Sequence, residues 1–217
     1  WINYYKRKSI LSSVQPGNLV KVFWKSRRIE QMGNFKIELI SSISGKIFDE
    51  KIKLQALTSL CSLLEKFLPE RQRYSEVFNA TKAFFKVLAF NNEVNNEQWI
   101  KGYIKWEIGL LSSIGYSLDL KKCAVTGQKN NLNYVSPKTG KAVSRDGAGK
   151  FAPKLLKLPV FLGGTGVIGS SQNEEIIMGI NITTYFFKNK LLLSINDNKI
   201  TNLPNSRNRL ENMIKKL

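Results

Sequence analysis

A chain of 217 residues, 42% of them hydrophobic, has material for one large core or two small ones, and no stretch approaches the ~20 apolar residues of a membrane-spanning helix. Its 34 Lys and Arg stand against 16 Asp and Glu, a net charge of +18, which calls for a polyanionic partner, nucleic acid ahead of an anionic membrane surface. There is no histidine, so Ser-His-Asp and Cys-His catalysis are excluded together with the commonest metal ligand. The two cysteines make no disulfide framework and fit a reducing cytoplasm.

The chain opens on WINYYKRKSI, which lacks a signal peptide's apolar stretch. With no initiator Met, native residues are expected ahead of Trp1. Residues 1–48 read as β. QPGN at Gln15–Asn18 is a turn signal. NLVKVFWKS follows, with Leu19, Val20, Val22 and Trp24 as strand-forming bulk. KSRRIEQMG has the polarity of a hairpin tip. GNFKIELISSIS then alternates, with Phe35, Ile37 and Leu39 on one side and Lys36 and Glu38 on the other. Two strands cannot close a sheet, and further strands before Trp1 would complete a small barrel.

From Asp49 the period changes. Ile52, Ala56, Leu60, Leu63, Leu64 and Phe67 recur at i, i+3, i+4 spacing up to Pro69, which predicts a helix containing Cys61 as a small buried residue. A second helix is predicted over 71–90, with Tyr74, Val77, Phe78, Phe85 and Leu88 inward. A third covers 97–114, with Trp99, Tyr103, Ile104, Trp106 and Leu111 inward. Aromatic residues at helical spacing read as core, not as base-stacking platforms. A loop-rich insert occupies 119–150, and helical stretches follow near 174–194 and 204–217. GGTGVIGSS at Gly163–Ser171 lacks the G-K-[ST] ending of a phosphate-binding loop and reads as a connection between helices. Carboxylates are few and scattered, which argues against a two-metal nuclease. The expectation is a protein that is not an enzyme.

Within the insert, KKCAVTGQKNNLNYVSPKTGKAVSRDG (Lys121–Gly147) has the spacing and turn residues of a small metal-binding module but one cysteine, Cys123. One thiolate without histidine cannot hold zinc. The segment is therefore expected to be metal-free, held by turns and by packing of Leu132, Tyr134, Val135 and Val143, with Cys123 buried.

Four stretches, in order along the chain, resemble bacterial RecO recombination mediators. KRKSILSSVQPGN is similar to that family's basic stretch followed by L-Q-P-G. KWEIGLLSSIGYSLDLKKCAVTG resembles its R-x-F-E-x-x-L-L-x-x-L-G-Y-x-x-x-L-x-x-C core. YVSPKTGKAV fits its F-S-P-x-x-G segment, and LPNSRNRL its L-P-x-x-R-x-R-L. The CAVTG and SPKTG wording is most like alphaproteobacterial members.

The resemblance implies an α+β protein. An N-terminal OB-fold β-barrel, incomplete here, would occupy 1–48, and a mostly helical domain 49–217 with a zinc-less remnant of a zinc-finger-like insert at about 119–150. Members with zinc use two C-x-x-C knuckles; Cys123, Thr126, Ser144 and Gly147 occupy those positions here. The implied activity is binding of single- and double-stranded DNA and annealing of complementary strands in the RecF pathway of recombinational repair. The implied partners are RecR, the C-terminal tail of single-strand-binding protein and, indirectly, RecA, in a bacterial cytoplasm at the nucleoid, with no membrane and no cofactor. Lys6, Arg7 and Lys8 match the family's basic loop, with Tyr4 and Tyr5 beside them to stack on bases, and Lys21, Lys25, Arg27 and Arg28 extend the same DNA-binding surface. Arg207 and Arg209 match a family motif and stand either as DNA contacts or as structural pairs at a helix start. Lys105 replaces the Arg of the region that receives the acidic tail; it keeps the charge and loses the planar fork. The alternative is a basic RNA-binding or ribosome-associated OB protein, because a fold alone does not give function.

Overall fold

Strand-forming bulk in NLVKVFWK and alternation in NFKIELISS make the hairpin. β1 (Asn18–Lys25) and β2 (Asn34–Ser42) pair antiparallel, with one irregularity beside Leu19 and Val20 where Ile40 is skipped. The computed structural model describes residues 13–28, 33–90, 96–166, 169–194 and 202–217. A 3-10 turn at Ser44–Lys46 then leads to the helical body.

α1 (Lys51–Phe67) buries Ala56, Leu60, Leu63 and Phe67 of the predicted stripe and Leu57 beside it, leaves Ile52 and Leu64 half-buried, and stops before Pro69. α2 (Ser75–Ala89) buries Val77, Phe84 and Leu88. Phe78, expected inward, is 56% exposed. α2 packs on α3 (Asn96–Ser113) along one stripe, and Phe78 lies a helical step beyond its edge, while Phe84 takes the buried place. α3 is the central helix. It lies against α2 on one side and α4 (Gln172–Phe186) on the other, so it buries Trp99, Ile100, Tyr103, Ile104, Trp106, Leu110 and Leu111 around most of its circumference. The aromatic residues predicted along α3 are core.

α4 begins with a capping box: the Ser171 hydroxyl accepts from the Glu174 N–H, and the Glu174 carboxylate accepts from the Ser171 N–H. It runs on through a π turn at Phe187–Leu191, whose Phe187 stacks on Phe67 of α1 at 5.5 Å. α5 (Asn205–Ile214) packs along α1, and the Gln55 side-chain amide donates to the Ser206 carbonyl at 2.7 Å. Between α3 and α4 a second sheet, ordered β4-β3-β5, joins β3 (Leu132–Val135), β4 (Ala142–Ser144) and β5 (Leu156–Lys157). Its third strand comes from beyond position 150. The molecule is thus a mixed α and β protein with two small antiparallel sheets on a helical body. Among the described residues no helix is long and apolar enough to cross a membrane.

Candidate nucleic-acid interface

Side chains alternate across a strand, so the register of the hairpin sorts its residues into two unlike faces. One carries the apolar pairs Val20–Leu39, Val22–Ile37 and Trp24–Phe35. The other carries Lys21–Glu38, Phe23–Lys36 and Lys25–Asn34. On this second face the Phe23 ring is 43% exposed, with Lys21 Nζ at 4.8 Å and Lys36 Nζ at 5.7 Å from its centroid. The face therefore offers a flat aromatic surface framed by ammonium groups. Lys36 also bonds Glu38 at 2.8 Å, and the lysine holds that carboxyl below its ordinary range. Lys21 and Lys25, both expected on the DNA-binding surface, sit on this face. Phe23 and Lys36 join them unannounced by any motif. Their signal is the register, which pairs two residues thirteen positions apart in sequence.

Arg27 and Arg28 are exposed just beyond β1. Lys6, Arg7 and Lys8, with Tyr4 and Tyr5, lie outside the described residues. The apolar face remains open to a similar degree: Trp24 is 49% and Phe35 62% exposed.

The helical body treats its charges differently. Arg207 is fully buried. Its guanidinium bonds both oxygens of Glu107 through Nε and Nη2, and Glu211 through Nη1 at 3.0 Å. Nη2 also donates to the Thr184 hydroxyl at 3.1 Å. Burial opposes the charge on Arg207, and Glu107 more than offsets it, so the group stays protonated. Burial likewise works against ionised Glu211, but Lys215, Arg207 and Thr184 together hold its pKa below the ordinary carboxylate value. Of the two readings left open for Arg207, the structure selects the structural one: it joins α5 to α3 and α4. It also corrects the picture of scattered carboxylates, since Glu107 and Glu211 converge on one guanidinium. They are clamped there and are not free acids. Arg209, two positions further along α5, is exposed.

Lys105 is exposed on α3, at the rim of a shallow cleft with Glu76, Ala80, Trp106 and Gly109. Trp106 is buried and donates its indole N–H to Thr81 Oγ1 at 3.0 Å, which gives it a core role. Cys61 is half-buried in α1, and burial pushes its thiol up.

Cys123 is 2% exposed, and its sulfur is a hydrogen-bond hub. Sγ accepts from the N–H groups of Val125 and Thr126 at 3.4 Å each, from the Ser144 N–H at 3.1 Å and from the Ser144 hydroxyl at 3.3 Å. Ser144 Oγ accepts from the Gly147 N–H at 3.1 Å and lies 3.4 Å from Thr126 Oγ1. Burial raises the thiol's pKa, but the donors from Ser144 and Thr126 outweigh it and bring it down to about 6. The four positions at knuckle spacing thus meet in space. They do not fit zinc. One thiol, two hydroxyls and a glycine lack the donor set, and a Cβ at Gly147 would stand 3.1 Å from both the sulfur and Ser144 Oγ, so the centre is already filled by its own contacts. Among the described residues no group of three His, Cys, Asp or Glu could hold a metal ion.

Comparison with known proteins places this geometry in a lineage. Residues 51–198 match the family model described as "Recombination protein O C terminal". The chain is 35% identical over 185 residues to a protein of Rhodospirillum rubrum named "DNA repair protein RecO", covering 85% of this chain and 73% of the relative. A protein of that name from Cereibacter sphaeroides (strain ATCC 17029 / ATH 2.4.9) is 35% identical over 207 residues, covering 95% of this chain and 81% of its own. One from Wolbachia pipientis wMel is 36% identical over 185 residues, covering 84% and 75%. No solved structure matches the chain.

Proposed function

The chain belongs to the RecO family, and from that premise we propose that it acts in DNA repair as a non-catalytic protein that binds DNA and anneals complementary strands. One observation carries the reading: the exposed Phe23 ring flanked by Lys21 and Lys36 on an open hairpin face. Annealing makes and breaks no covalent bond. It requires that two polyanions approach, which Lys and Arg permit by displacing counterions, and that bases be held without their pairing edges being used. Stacking on an aromatic ring does this, because every base has a π-face.

Lys21, Lys25 and Lys36 contact phosphates in this reading, Phe23 stacks, and Lys6, Arg7, Lys8, Arg27 and Arg28 extend the track. The hairpin is part of an OB-fold barrel. What supports this is the uncovered apolar face of β1 and β2, since a lone two-stranded hairpin is marginal in water. The loop around Cys123 is the metal-free counterpart of the zinc module of other members, its ligand bonds replaced by hydrogen bonds to sulfur. The partners are RecR, RecA indirectly, and single-strand-binding protein, whose acidic tail would meet Lys105. The site of action is the bacterial cytoplasm at the nucleoid.

The test is annealing of complementary DNA oligonucleotides by the chain, with and without Phe23→Ala, in buffer containing Mg2+ or Mn2+. The expected result is faster annealing than without protein, a slower rate with Phe23→Ala, and no strand cleavage. Cleavage by the purified chain, or activity on RNA strands alone, would replace this reading with a nuclease or with an RNA-binding protein.

A further inference from the structure

We propose that the module from Asp119 to Val160 is a second phosphate-binding surface, contacting the backbone of nucleic acid independently of the hairpin; the inference rests on the reading of the chain as a DNA-binding protein. The module carries nine cations (Lys121, Lys122, Lys129, Lys138, Lys141, Arg145, Lys150, Lys154 and Lys157) against two acids, Asp119 and Asp146. The rest of the chain has 25 cations against 14 acids. The module thus carries 7 of the net 18 positive charges in about a fifth of the sequence, roughly twice its share by length.

All nine cations are exposed. Among the described residues none of them is in an ion pair, whereas Lys36, Lys53, Arg207 and Lys215 are. A cluster of like charges with few counter-charges repels itself, and a polyanion relieves that repulsion.

The way the fold presents these charges selects the ligand class. Lys122 and Lys141 line one cleft with Asp119 and the turn 123–127. The N–H groups of that turn are all used internally. Cys123 donates to the Gln128 carbonyl at 2.7 Å, Ala124 to Ala142 at 2.8 Å and Gly127 to Cys123 at 3.0 Å, while Val125 and Thr126 donate to the sulfur. The cleft thus has no backbone nest for one anion. What it offers is ammonium groups on flexible stems, point charges suited to a repeating phosphate chain and indifferent to sequence. Phe151 is 56% exposed with the Lys150 ammonium 5.6 Å from its ring centroid, which repeats the pairing of aromatic and cation on the hairpin. Protein-binding surfaces are depleted in Lys, so an acidic protein fits this surface less well than nucleic acid does.

The experiment is a salt titration of binding to a fluorescent single strand and a fluorescent duplex, on three proteins. These are the native chain, the module variant Lys121→Glu/Lys122→Glu/Lys141→Glu and the hairpin variant Lys21→Glu/Lys25→Glu/Lys36→Glu. The milder Lys121→Gln/Lys122→Gln/Lys141→Gln serves if charge reversal disturbs folding by circular dichroism. The inference predicts that the module variant binds the duplex at least tenfold more weakly at 100 mM salt. Its log–log salt slope should fall by roughly two to three, as expected when three phosphates are no longer neutralised. An unchanged slope and affinity in a folded module variant would overturn it whatever the hairpin variant does. Weaker binding by the module variant with native binding by the hairpin variant would support it while refuting the hairpin as the DNA site. Native binding to polyglutamate that competes fully with DNA and vanishes in the module variant, with DNA binding retained, would overturn it in favour of an acidic protein partner.

Discussion

The hairpin of β1 and β2 and the buried cluster on α3, α4 and α5 both contain basic side chains, and the two regions use them in opposite ways. On the hairpin, Lys21 stands in water beside an exposed ring, and Lys25 is exposed on the same face. In the helical body, Arg207 has no exposed surface, and its donors meet Glu107, Glu211 and Thr184. The sequence motif around Arg207 reads like a binding motif, yet every direction from the guanidinium ends on the protein itself. Arg207 is satisfied within the fold, whereas Lys21 and Lys25, the proposed phosphate contacts, form no ion pair among the described residues. Substitutions in the two regions should therefore have separable consequences.

The largest effect is expected at Arg207. Arg207→Ala leaves Glu107 buried without its counter-charge, and breaking such a pair costs about 3–5 kcal/mol. Urea unfolding should show that destabilisation in the midpoint, and Arg207→Lys should recover only part of it because Lys cannot make the forked contact. Below the variant's unfolding transition, DNA affinity should remain that of the native chain. A stable Arg207→Ala protein with weakened DNA binding would erase the distinction between the regions.

Cys123 sharpens the comparison at the module. Its thiol is depressed from the ordinary 9.0 to about 6, so between those values the unfolded chain binds the extra proton. The stabilisation is complete above about pH 9 and is lost as the pH falls through about 6. Unfolding free energy should rise by on the order of 2–4 kcal/mol across that window, and Cys123→Ala should flatten the rise. A metal chelator should leave the native melting temperature unchanged, and elemental analysis should find no stoichiometric zinc. A fall in melting temperature on chelation would contradict the hydrogen-bonded account of the loop.

Removing the ring tests stacking apart from charge. Phe23→Ala should weaken single-strand binding by about 1–3 kcal/mol per base released while leaving the salt slope near that of the native chain, since every phosphate stays neutralised. The smallest effect is expected for Lys105→Ala. It should weaken binding of an acidic, aromatic-ended peptide by about 1 kcal/mol or less, the range of an exposed ion pair, with DNA binding intact. Unchanged peptide affinity would remove Lys105 from the tail site.

Much of this architecture is legible in the sequence, and the exceptions share a cause. The alternation Phe35, Lys36, Ile37, Glu38, Leu39 announces β2, and the helical spacing of α1 and α3 announces their buried stripes, because both patterns are local. Phe78 escapes the pattern because periodicity gives the phase of a helix but not the width of the surface it meets, and α2 meets α3 along a narrow stripe. The clamp on Arg207 is invisible in the sequence because Glu107 lies a hundred positions away and the two meet only when α5 docks. Lys36 and Phe23 become a site only through the cross-strand register. Cys123 is buried, as the sequence suggests, yet the convergence of Thr126, Ser144 and Gly147 on it depends on the pairing of β3 with β4.

The proposed role of the hairpin as the DNA surface is tested most directly by the salt dependence of single-strand affinity for Lys21→Glu/Lys25→Glu/Lys36→Glu against the native chain. The account predicts a folded variant, stable to within ~1 kcal/mol, whose slope of log affinity against log salt is reduced by roughly two, at about 0.7 for each single-strand phosphate left without its lysine. A folded variant with the native slope and the native affinity would contradict it.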